Sequence, residues 1–264
     1  MSNAAGSGAP RALLFDLDGT LYTDAGSVPG AVEALAELRR RGVPFRYVTN
    51  TTRRSRRLLA QRLRGYGFEA EPAEILSAPQ ACVAMLRSRG VRRVAAYVAD
   101  ETLEDFAPFD LAAARPEAVV VGDLGDAWDF AKLNRAFLQL MDGAELVALQ
   151  RDRYWLRGDG LALDAGPFIA ALEYATGKTA VVCGKPSAAF YAAAVASLPP
   201  AGAAASREVV MVGDDLWGDV QGAQQAGLTA WMVRTGKFRE DVVAASGITP
   251  DRILASVAEL PSLF

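Results

Sequence analysis

The chain has 264 residues, 51% of them apolar, and a formal net charge of -3. That length suits one large domain, or a core carrying a second smaller one, and the charge offers no whole-surface attraction to nucleic acid or anionic membrane. Histidine is absent altogether. This removes serine–histidine triads, phosphohistidine intermediates and His-ligated zinc or iron, so acid–base work falls to carboxylates, Lys, Cys or Tyr.

In chain order, the opening MSNAAGSGAP has neither a basic start nor an apolar centre and reads as a flexible tail, not a secretory signal. RALLF is the first predicted strand. PGAVEALAELRRRG follows as a helix, with apolar spacings of three and four, proline near its start and glycine after its end. VPFRYVT is a strand and RRSRRLLAQRLRGYG a basic helix; EPAEILSAPQ reads as a break. QACVAMLRSRG (helix), RRVAAYVA and EAVVVGD (strands), then DFAKLNRAFLQLMDG and GPFIAALEYATG (helices with glycine stops) fill the middle. TAVVCG, REVVMVGDD and LTAWMVR are the closing strands, with helices SAAFYAAAVASL and GDVQGAQQAG between them.

The strands are apolar on both sides, as in a covered parallel sheet. Their alternation with helices predicts a doubly wound α/β fold. The expected organisation is a tail at 1–10, a core from 11–79 and 181–264, and an inserted α/β cap at 80–180. Cys82 and Cys183 stand far apart in apolar contexts without metal-ligand spacing, which fits buried free thiols in a reducing cytoplasm.

Ligands of such sheets bind beyond the carboxyl ends of the strands. The first strand ends in Asp16 and Asp18, within LLFDLDGTLY. The second ends in Thr49 and Asn50, a later one in Lys185, and VVMVGDD in Asp214 and Asp215, with Asp219 a turn further on. Singly, each has a plain structural explanation: a turn cap, a helix cap, a surface lysine, a loop. Four apolar strands ending this way define one site.

Phosphoryl transfer fits these groups. Asp16 supplies a carboxylate nucleophile that forms an aspartyl phosphate. Asp16 and Asp214 supply oxygen ligands for a hard Mg²⁺, and Lys185 adds a fixed positive charge. The Thr49 hydroxyl and the amides beyond it hold phosphate oxygens. Asp18, expected on the same side as Asp16 from the two-residue period, protonates the leaving group and later activates water. Gly19 lets the backbone turn sharply.

DLDGTL, VTN, GKP and GDDLWGD, in that order, resemble the four motifs of the haloacid dehalogenase (HAD) superfamily of phosphatases. The long segment between VTN and GKP resembles the subgroup with a large α/β cap inserted there. LALDAGPFIAALEYATG, GDDLWGDVQGAQQAG and VRTGKF look like the phospholysine phosphohistidine inorganic pyrophosphate phosphatases and their near relatives, a similarity that runs over nearly the whole chain after its first ten residues. The resemblance implies a Rossmann-like core with Asp16 as nucleophile and Asp18 as acid/base and, through its backbone oxygen, metal ligand. It also implies Thr49, Asn50 and Lys185 on phosphate, Asp214 completing a Mg²⁺ site, and Asp215 and Asp219 standing behind these residues.

The expected partner is a small phosphorylated molecule, with no nucleic acid and no membrane, and with a homodimer through the cap. The arginines of RRSRR, residues 53 to 57, read as a solvated helix face. Trp128, Tyr154 and Trp155 read as core, while Asp164 either faces the site or caps the helix that follows. Two other classes compete with an enzyme. In a phosphate-accepting signalling domain the acidic pair and the acceptor lie on different strands, unlike DLDGT; a non-catalytic phospho-ligand-binding protein would use the same pocket.

Overall fold

A computed structural model describes residues 10–157, 160–199 and 206–264. Residues 1–9 of the expected tail lie outside this set. In chain order the elements are β1 (Ala12–Phe15), β2 (Tyr22–Thr23), β3 (Gly26–Ser27), α1 (Ala31–Arg40), β4 (Phe45–Thr49), α2 (Arg56–Gly65), β5 (Ile75–Ser77), α3 (Ala78–Ser88), β6 (Val94–Tyr97), β7 (Ala118–Val121) and α4 (Phe130–Met141). They continue with β8 (Glu145–Ala148), β9 (Tyr154–Arg157), β10 (Gly160–Leu163), α5 (Ala165–Thr176), β11 (Val181–Val182), α6 (Ala188–Ala196), β12 (Val209–Gly213), α7 (Gly222–Gln225), β13 (Thr229–Val233), α8 (Glu240–Ser246) and β14 (Arg252–Leu254).

The chain forms two compact units. One comprises the chain up to Thr49 together with Leu59–Leu76 and Lys185–Phe264; the other comprises Asn50–Leu58 and Ser77–Gly184. In the first unit a six-stranded sheet runs β14-β13-β12-β1-β4-β5, and the pairings of β1 with β12 and β4, of β12 with β13 and of β13 with β14 are parallel. Strands β4 and β5 spread from β1 to one side; β12, β13 and β14 spread to the other. The topological switch point therefore falls between β1 and β12. Leu13, Phe15, Tyr47, Val210, Val212 and Trp231 from four of these strands pack into one core with Leu35 and Leu38 of α1, each fully buried large apolar side chain contributing roughly 1.5–3 kcal/mol.

The second unit is a covered parallel sheet of order β11-β8-β7-β6 with an antiparallel β9–β10 hairpin. Its helices start on side-chain caps: Ser77 accepts from Gln80 N at 3.4 Å, and Asp129 accepts from Lys132 N at 2.7 Å. Segment 50–58 is tied into this unit. Thr102 Oγ1 donates to Thr52 O at 2.7 Å, Asp123 N donates to Thr52 Oγ1 at 3.1 Å, and Arg53 pairs with Asp123 at 3.2 Å. Two other arginines of RRSRR also meet acids: Arg54 approaches Glu101 at 3.9 Å and Arg57 approaches Glu104 at 3.1 Å. Cys82 and Cys183, distant in sequence, are buried in one apolar cluster as free thiols.

Trp128 stacks between Tyr97 and Phe168, with ring centroids 5.5 and 4.9 Å away. Tyr154 corrects the expectation of a core residue. It is 56% exposed, because it lies on a two-stranded hairpin and not within the parallel sheet. EPAEILSAPQ is likewise more than a break, since its Ile75–Ser77 forms the edge strand β5. Among the described residues no helix is long and apolar enough to cross a membrane.

Asp164 caps α5, accepting from Ala165 N at 2.6 Å, and also accepts from the Gln150 amide. Burial, reinforced by the charges of Asp123 and Asp152, pushes its carboxyl up to about 6. A raised carboxyl binds its proton more tightly in the folded than in the unfolded chain, so this contribution is complete below pH 4 and is lost as pH rises through about 6. Asn also caps helices well. Asp164→Asn is therefore expected to gain stability relative to the parent as pH rises from about 4 to about 6, by at most about 3 kcal/mol, and to stay level above that. Thermal unfolding of both proteins across that range checks this; a difference that shrinks with rising pH would refute it.

Candidate active site

Strand β1 delivers Asp16 to the switch point, where its backbone N–H donates to Val212 O of β12 at 2.9 Å. β12 then ends at Gly213, so Asp214 follows on the adjacent strand. A short π-helical turn, Leu216–Gln221, brings Asp219 back towards the strand end. Gly213 makes this possible, since a Cβ there would overlap the Asp219 carboxylate. Lys185, the first residue of the chain's return to this unit, projects its ammonium among these groups. Its Nζ lies 2.5 Å from Asp16 Oδ1 and 2.6 Å from Asp219 Oδ1.

All four side chains are buried: Asp16 at 7%, Lys185 at 5%, Asp214 at 2% and Asp219 at 0% exposure. Burial alone would strip the lysine of its proton, but the Asp16 and Asp219 charges hold its proton affinity well above the ordinary value. Asp214 is pushed up to about 8 by burial and by the Asp16 and Asp219 charges. Asp219 is raised to about 7, mainly by burial, against the pull of Lys185. Two carboxylates, Asp16 and Asp219, thus grip one buried ammonium, with Asp214 close to both of them. The site holds more acidic groups than positive charges, and it answers by binding protons tightly at Asp214 and Asp219.

Two glycines shape the space around Asp214. Gly19 (φ 82°) and Gly236 (φ 60°) adopt left-handed backbone, and a Cβ on either would overlap Asp214 Oδ2. That oxygen accepts from Lys237 N at 2.7 Å, and Lys237 Nζ pairs with Asp215 Oδ2 at 2.8 Å. Asp215 also accepts from Trp217 N and Gly218 N at 3.0 and 2.9 Å, which pins the π-helical turn. Tyr191 of α6 anchors the same turn by donating to Gly218 O.

Carboxylate oxygens of Asp16, Asp214 and Asp219 lie within 4.8 Å of one another, and this donor set fits a hard divalent cation. Asp219 is committed at both oxygens, to Lys185 and to Asp215 N at 3.0 Å. Asp16 and Asp214 therefore have oxygens better placed to take a cation, while Asp219 is paired with the lysine.

Thr49 is buried at the end of β4, beside β1. Asn50 belongs to the second unit, where its side chain lies so close to Gly184 that a Cβ there would overlap it. Asp18 does not join the buried cluster: it is exposed, and its Oδ2 accepts from the Tyr22 hydroxyl at 3.4 Å. β1 ends at Phe15, so the two-residue alternation of an extended chain does not run through to residue 18. The sequence assigned no role to Gly236 and Lys237. Their signals are their place after β13, the strand next to β12, and their membership of VRTGKF, one of the stretches that carry the family resemblance.

Residues 13–111 match the family model of haloacid dehalogenase-like hydrolases, and residues 182–260 match a HAD-hydrolase-like model. Haloacid dehalogenase-like hydrolase domain-containing protein 2 of Rattus norvegicus is 43% identical over 229 residues, covering 87% of this chain and 86% of the relative. The chain belongs to the haloacid dehalogenase-like hydrolase family. Within this HAD family it is also similar to the phospholysine phosphohistidine inorganic pyrophosphate phosphatase of Bos taurus, at 37% identity over 261 residues, 96% of this chain and 93% of the relative. Among solved structures, the p-nitrophenyl phosphatase from Archaeoglobus fulgidus superposes with a TM-score of 0.88 at 26% identity, covering 97% of this chain and 100% of that one. The HAD core with an inserted cap is the fold of this chain, and it is a phosphatase of that family.

Proposed function

We propose that the enzyme is a Mg²⁺-dependent phosphatase of small phosphorylated molecules that works through an aspartyl phosphate on Asp16. The observation carrying this reading is the Lys185 ammonium held between Asp16 and Asp219, beside Asp214, at the switch point of the sheet. A carboxylate can approach an anionic phosphate only where positive charge is already fixed. Lys185 provides one such charge at the nucleophile itself. Asp16 and Asp214, with the Asp18 carbonyl, would hold Mg²⁺, which would supply further charge neutralisation beside the phosphate.

In the first step an Asp16 carboxylate oxygen forms a bond to phosphorus while the bond to the leaving oxygen breaks. Asp18 gives that oxygen its proton. In the second step Asp18 takes a proton from water, the water oxygen bonds to phosphorus, and the Asp16–phosphorus bond breaks, regenerating both carboxyl groups. Thr49 and Asn50 hold the non-bridging oxygens with Lys185. Asp219 fixes the lysine, and Asp215 fixes the loop that carries Asp214. The inserted unit, lying in sequence between the second and third motifs, is the selectivity element.

The test is hydrolysis of p-nitrophenyl phosphate in excess chelator, followed by metal replacement. Activity is expected to disappear with chelator and return with Mg²⁺. Zn²⁺ is expected to restore little, because the ligands are all oxygens. Full turnover in excess chelator rejects the metal-assisted reading.

A further inference from the structure

Tyr22 follows directly on the first motif, DLDGTL, and its side chain is fully buried, at 0% exposure. The backbone between residues 17 and 22 folds back on itself: Gly19 N donates to Tyr22 O at 2.7 Å, and Leu21 N donates to Leu17 O at 2.9 Å. This turn sets Tyr22 opposite Asp18 as an isolated bridge, and the hydroxyl donates to Asp18 Oδ2 at 3.4 Å. The phenol is the donor in this contact, since a carboxylate oxygen only accepts.

The ring is itself clamped. The Arg62 guanidinium carbon stands 4.7 Å from the Tyr22 centroid and 5.8 Å from that of Tyr66, and the two rings are 5.0 Å apart. A cation over two aromatic faces resists rotation of either ring. Arg62 belongs to α2, the basic helix, so this arginine packs against aromatic rings and does not simply face solvent.

Resting on the reading of Asp18 as acid/base, we infer that Tyr22, held by Arg62 and Tyr66, is the positioning residue for Asp18. An exposed aspartate on a loop has several rotamers open to it. A general acid must reach its oxygen within a hydrogen-bond length, and small misplacements there carry large rate losses. The Tyr22 hydroxyl engages Asp18 Oδ2 and so fixes the plane of the carboxyl group. It also donates to the carboxylate that remains once Asp18 has given up its proton, which favours that transfer. The hydroxyl does not touch the substrate; it acts through Asp18.

The test compares phenyl phosphate with p-nitrophenyl phosphate, whose leaving groups share a shape and differ in their need for a proton. kcat/KM reports the step in which the leaving group departs. Tyr22→Phe keeps the buried ring and removes only the hydroxyl. It is expected to lower kcat/KM for phenyl phosphate by roughly 10-fold to 10²-fold, while p-nitrophenyl phosphate changes far less and the unfolding temperature and Mg²⁺ requirement stay constant. Arg62→Met, which frees the ring, is expected to shift the ratio of the two substrates in the same direction by less. Equal losses on both substrates, or none on either, overturn the inference. Asp18→Asn separates the two levels of the argument: wild-type hydrolysis of phenyl phosphate by that variant rejects the acid/base reading itself, whereas an inactive Asp18→Asn with a substrate-independent Tyr22→Phe rejects only the positioning role.

Discussion

Asp16→Asn is expected to lower kcat/KM on p-nitrophenyl phosphate by at least about 10³-fold while the protein remains folded. The amide has the size and shape of the carboxylate and can still accept from Lys185, so the packing between β1 and β12 is undisturbed. It lacks the charge needed to attack phosphorus. The variant should not be destabilised without metal, because it removes one of three acidic groups crowded together in a buried site that holds a single ammonium. Its response to Mg²⁺ should differ from the parent: loss of an anionic ligand weakens binding, so the metal-induced rise in unfolding temperature should shrink. Activity assays and thermal unfolding with and without Mg²⁺ check both halves. A folded Asp16→Asn protein with near-parental turnover removes Asp16 from the role of nucleophile.

Strands β1, β4 and β12 were readable because each is a short run of apolar residues that stops at a polar one, and the core sheet gathers those three stops on one edge. That is why Asp16, Thr49 and Asp214 could be chosen from sequence; Lys185 was chosen by the same rule, yet its strand, β11, pairs with β8 in the other sheet, and the lysine reaches the site only where the chain returns to the first unit. Asp219 was harder to weigh. Only the π-helical turn after β12, with Asp219 N donating to Asp215 O at 2.9 Å, returns it to the lysine, and helix-type alone is not encoded in a spacing. Tyr22 and Arg62 lie 40 positions apart in the numbering and meet only through tertiary packing. Strands β2 and β3 have two residues each and β5 has three, too few to show a period. The hairpin β9–β10 escapes for a related reason: its apolar residues Tyr154, Leu161 and Leu163 are exposed, so their pattern does not report a core. Cys82 and Cys183 show the same limit, since sequence distance says nothing about two chain segments that meet in one apolar cluster.

Lys185→Met should be the most disruptive single substitution in the site, for stability as well as rate. Methionine fills the space of the lysine stem but leaves Asp16 and Asp219 without the ammonium that sits 2.5 and 2.6 Å from them. Breaking a buried ion pair from one side costs about 3–5 kcal/mol, because the remaining charge has neither partner nor solvent. Here two carboxylates are stranded and a third, Asp214, lies close by. The variant is expected to unfold at a markedly lower temperature without metal and to lose at least about 10²-fold in kcat, the scale of removing one preorganised charge from a developing anionic transition state. Mg²⁺ should recover part of the stability by neutralising Asp16 and Asp214, but little of the rate. The companion Lys185→Met/Asp219→Asn separates the two roles of the lysine. If Asp219 exists to hold Lys185, deleting its charge in the same chain should return a substantial share of the lost stability, a non-additivity expected only for residues in direct contact. Activity should stay low, since the charge at the phosphate is still missing. A double variant no more stable than Lys185→Met would show that Asp219 is not the counter-ion of Lys185, and a Lys185→Met enzyme with parental stability and turnover would remove the lysine from the site's electrostatics.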